Sequence, residues 1–167
     1  MSLYEATASL FYGVRLQRNG RDASDLQPLG DADYDDFVET RLKELGHELP
    51  DWRGLLHSKK PNDKAADAKV TQMLRESNAM IEAATFGCEL YQAGSSEQED
   101  TVIYAMIKDS RVSTSSEDDH GGFGEKIIQP EQLVIGAEWD ENLRKFCDLM
   151  GFPPELVKPR WTLTMRG

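Results

Sequence analysis

The segment from Thr101 to Lys108 constrains the fold most. Val102, Ile103, Tyr104, Ala105, Met106 and Ile107 are six consecutive apolar residues. A strand sends successive side chains to opposite faces, so an unbroken apolar run of this length needs cover on both sides. The pattern therefore predicts an interior strand. A second strand is predicted at Phe86–Gln92. The link between them, Gly94–Asp100 (GSSEQED), is short and polar, which favours an antiparallel hairpin.

Two further strands flank the chain. In Ala6–Gln17, the residues Leu10, Tyr12, Val14 and Leu16 alternate with Ser9, Phe11, Gly13 and Arg15, a period of two. Trp161–Arg166 places Trp161, Leu163 and Met165 on one face. Arg18–Gly30 is rich in Gly, Asn, Asp and Pro and reads as loop. So does the polar stretch Asp109–Gly124, and Lys126–Ile135 reads as short extended structure interrupted by Pro130.

Three helices are expected between the strands. Asp31 or Asp33 can cap one that runs to about Leu45, where Gly46 stops it. Leu49–Pro61 has no clean period. Asn62 or Asp63 can cap a longer helix to about Ala84, whose apolar line (Ala66, Val70, Met73, Leu74, Ser77, Ile81) is thin. Asp140 can cap the third, which ends near Met150 before Gly151 and Pro153. The order strand, helices, strand, strand, helix, strand implies one α+β domain over residues 1–167. The expected fold is an antiparallel sheet of about four strands with helices packed on one face, and the ferredoxin-like βαββαβ arrangement is its natural form.

Charge narrows the function. The chain carries 30 Asp and Glu against 19 Lys and Arg, a net charge of −11. Asp31–Glu48 accounts for −5 of this and Glu97–Glu125 for −6, so the remainder is neutral. Such acidity argues against direct nucleic-acid binding and against binding to an anionic membrane surface, both of which need a Lys/Arg excess. No run of about 18 apolar residues is present to span a bilayer, and Met1–Gly13 has no secretory pattern. A cytoplasmic protein is expected. Cys88 and Cys147 share no metal-ligand spacing and lie in apolar patterns, which suits reduced, buried thiols, with a disulfide between them as the alternative.

The first acidic segment is amphipathic. At about 100° per residue, Tyr34, Phe37, Val38, Leu42 and Leu45 share one arc, while Asp33, Asp35, Asp36, Glu39 and Glu44 share the opposite one. A strip containing Asp33, Asp36, Glu39 and Glu44 is expected to face water and to meet a partner with a basic surface. Arg41 falls inside the apolar arc and needs a carboxylate or carbonyl partner. The second segment holds Glu117, Asp118, Asp119 and His120, a set of hard donors for a metal or ligand but without EF-hand spacing. Gly121, Gly122 and Gly124 follow with no Lys-Ser/Thr, so no phosphate-binding loop or dinucleotide site is present, and no cofactor is expected. His47, His57 and His120 are scattered, and no nucleophile motif appears. These features lean against an enzyme.

Leu10-Phe11-Tyr12-Gly13-Val14, Phe86–Leu90, Ile103–Ile107, Trp139–Gly151 and Pro159–Leu163 together resemble small proteins of tailed phages and prophages. The resemblance runs through apolar core positions and carries over no functional residue. It implies a phage-type accessory protein in a bacterial cytoplasm. The expected function is non-enzymatic binding of a basic protein partner through the acidic helix. The alternatives are a homodimer built on the 62–84 helix, and a metal-dependent hydrolase or transferase with its site at residues 117–120.

Overall fold

The computed structural model describes residues 7–18, 21–22, 34–93, 102–115, 127–152 and 158–166. In chain order the elements are β1 (Thr7–Arg15), β2 (Gln17–Arg18), β3 (Arg21–Asp22), α1 (Tyr34–Glu44), α2 (Trp52–Ser58) and α3 (Lys64–Ala84). They are followed by β4 (Cys88–Ala93), β5 (Val102–Ile107), β6 (Val112–Ser115), α4 (Trp139–Leu149) and β7 (Arg160–Arg166). The α+β class is as expected, but the main sheet has five strands rather than four. β2 and β3 pair separately within the stretch read as loop.

All pairs in the main sheet are antiparallel. β7 pairs β1 from Thr7 to Gly13 and so takes one of its edges. β6 pairs Thr7–Leu10 and β5 pairs Gly13–Arg15, both along the other edge. β5 and β6 thus form one line of sheet broken by a 3-10 turn, Lys108–Ser110. With β4 outside β5, the order β4-β5-β1-β7 is the ferredoxin-like one. The fifth strand lies where a polar loop was expected. Val112–Ser115 is too short for its period to show, and its pairing with β1 across a hundred residues decides it.

Ser110 repairs the break. The β1–β5 register would join the Tyr12 amide to the Ile107 carbonyl. Instead Tyr12 N–H donates to Ser110 Oγ at 2.8 Å, and Ser110 Oγ–H donates to Ile107 O at 2.6 Å. The hydroxyl is buried and relays the ladder bond, so the Tyr12 amide and the Ile107 carbonyl both keep a partner.

Tyr12 and Val14 of β1, Ile103, Ala105 and Ile107 of β5, and Cys88 of β4 form one face. Against it pack Val38 and Leu42 of α1 and Leu143, Phe146 and Cys147 of α4, with Ile81 and Ala84 of α3 partly buried. Tyr12, Trp139 and Trp161 meet edge to face or tilted, with ring centroids 5.6 to 6.2 Å apart. Further along β7 on that face, Leu163 and Met165 stay exposed.

The opposite face has its own core. Phe11 and Met106 are fully buried there. The Phe11 ring meets Tyr91 and Tyr104 edge to face at 5.1 and 5.3 Å. The sheet is curled over this cluster, which brings the outer strands β4 and β7 within 8 Å, and the Tyr91 and Thr164 hydroxyls hydrogen-bond at 3.3 Å. Met106 in the apolar run is therefore covered by the curl of the sheet itself.

Helix ends explain the remaining departures. Gly46 and Gly151 adopt φ of +89° and +83°, the left-handed geometry expected after α1 and α4. Asp63 caps α3 through Ala66 N–H at 3.1 Å. Asp140 is not the cap of α4, which begins at Trp139; its carboxylate accepts the Tyr12 hydroxyl at 2.7 Å instead. α2 occupies the stretch read as aperiodic. Seven residues are too few to show a helical period, and Asp51 caps it through Gly54 N–H. β4 starts at Cys88 rather than Phe86, because Phe86 and Gly87 both have positive φ and turn the chain out of α3. Pro130 opens a 3-10 turn, Pro130–Leu133, where extended structure was expected.

Candidate functional site

α1, α2, α3 and the start of β4 enclose an open cleft of about 470 Å³. Its apolar wall comes from Val38, Leu74, Ile81, Cys88 and Leu90, and Trp52 adds an aromatic side. Glu39, Arg53, Asn78, Glu82, Glu89 and Lys108 supply the polar groups. Polar and apolar groups thus line it in about equal measure, more polar than the usual small-molecule pocket.

Arg53 organises one end of it. Its guanidinium lies 2.5 Å from Asp36 Oδ1 and 2.7 Å from Glu39 Oε2, and stacks over the Trp52 ring at 4.8 Å. Lys43 reaches the same Glu39 oxygen at 3.9 Å, one helical turn away. Glu39 was expected on a solvated strip, but it is 8 % exposed, turned toward α2 and neutralised there. The missed element is the reason: without α2, nothing in the 100° spacing of α1 places a cation beside residues 36 and 39. Asp36 remains half exposed and Glu44 is mostly exposed, the latter 3.2 Å from Arg41. Arg41 also donates from Nε to the Leu149 carbonyl at 3.0 Å, tying α1 to the end of α4. This meets the partner requirement that its place in the apolar arc imposes. Asp33 and the set Glu117, Asp118, Asp119 and His120 lie outside the described residues, as do Asp31 and the Gly94–Asp100 link.

The cysteines are free and buried. Burial pushes the Cys88 thiol up to about 12, and the neighbouring Cys147 adds to the shift. Burial alone takes Cys147 to about 12. Tyr12 is also raised to about 12, first by burial and then by its bond to the Asp140 carboxylate. All three groups hold their protons more tightly folded than unfolded. Their contribution is intact below the ordinary values of 9.0 and 10.0 and is lost as pH rises toward 12. The melting temperature is therefore expected to fall steeply between about pH 9 and 12. Both thiols should resist a thiol reagent at pH 8 until the chain is unfolded. A flat melting temperature across that window, or rapid native labelling, would contradict this assignment.

What sequence reasoning missed is the cleft. Trp52 of α2, Asn78 and Glu82 of α3, and Lys108 after β5 belong to three separate segments, and only the fold brings them to one opening. Comparison of the chain with family models, with curated proteins and with solved structures gives no match.

Proposed function

We propose that the chain binds a protein partner with a basic surface, without catalysing a reaction, through the acidic side of α1 where it borders the cleft. The observation that carries this reading is that Asp36 and Glu44 on α1 keep about half or more of their side-chain surface exposed even though Arg53 and Arg41 lie beside them. Asp36 and Glu44 keep accessible oxygens toward solvent. A phage-type accessory role in a bacterial cytoplasm belongs to the same proposal, on the strength of the core-residue resemblance.

The test is charge reversal at Asp36 and Glu44, sparing the buried Glu39. Immobilised wild-type chain should retain a basic protein from bacterial lysate, released by raising the salt. The Asp36→Lys, Glu44→Lys variant, with unchanged circular dichroism, should retain at least tenfold less. Equal retention would sink the reading.

A second reading has its own support. α3 has 21 residues, yet only Val70 and Ser77 are buried in it. Met80, on its outward side, is 41 % exposed. A homodimer built on α3 would use that uncovered surface. Light scattering decides it, and a monomer at micromolar concentration ends it.

A further inference from the structure

We draw no further inference here: the strongest candidate, the apolar surface patch of Leu163 and Met165 on β7 with the exposed Leu133, Val134 and Ile135, which the bond from the Trp161 indole to Leu133 O ties to that strand, carries nothing because nothing in the structure shows what covers it.

Discussion

Gly13→Ala is expected to destabilise the protein by about 3 kcal/mol, the upper part of the range for overpacking a tight site. A methyl at Gly13 would stand 2.4 Å from the Ala105 carbonyl oxygen and 3.0 Å from the Met106 Cα. Both of these neighbours are backbone, so no rotamer change relieves the overlap. Gly13 faces Met106 in a non-hydrogen-bonded pair, the closer of the two kinds of antiparallel approach. In an open strand the same substitution would be neutral or favourable, since Gly costs roughly 0.5–1 kcal/mol relative to Ala there. The sign is thus a direct reading of how near β5 comes at this point. Urea unfolding checks it, and an unchanged or raised midpoint would show that the strands are not so close.

Phe11→Ala should cost about 3–5 kcal/mol, as much as Phe146→Ala at the centre of the helix-side core. Both rings are fully buried. Phe11, however, lies on the face that carries no helix among the described elements. A sheet with one solvated face would lose little there. The large expected loss follows from the curl that places Phe11 between Tyr91 and Tyr104 and closes β4 toward β7. Denaturant unfolding of the two variants side by side measures this. A Phe11→Ala cost below about 1 kcal/mol would mean that the second core is not formed in solution.

The main strands and several helix ends were legible because they rest on local chemistry. Period-two alternation in β1, the apolar run of β5, Asp63 before α3 and the glycines after α1 and α4 each act within a few residues. The failures share a different cause. α2 and β6 are seven and four residues long, and each depends on distant partners: Arg53 on α1, Val112–Ser115 on β1. The role of Asp140 depends on a hydroxyl 128 residues away. The candidate site was half legible. An amphipathic acidic helix could be read from 100° arithmetic, and with it the exposed positions of Asp36 and Glu44. The burial of Glu39 could not, because its cation comes from the helix that left no periodic signal.

The pairing of β1 with β7 has a consequence for how the chain acquires its shape during synthesis. Ser9 and Thr164 are neighbours across that pair and are 155 residues apart in sequence. β1 leaves the ribosome long before β7, yet one of its edges finds its partner only after β7 has emerged. Until then the middle strand of the sheet is an edge, with apolar residues on both faces and unpaired amides along it. Closure over so long a separation is slow compared with helix formation. The nascent protein therefore passes through a stage in which its most central strand is its most exposed one.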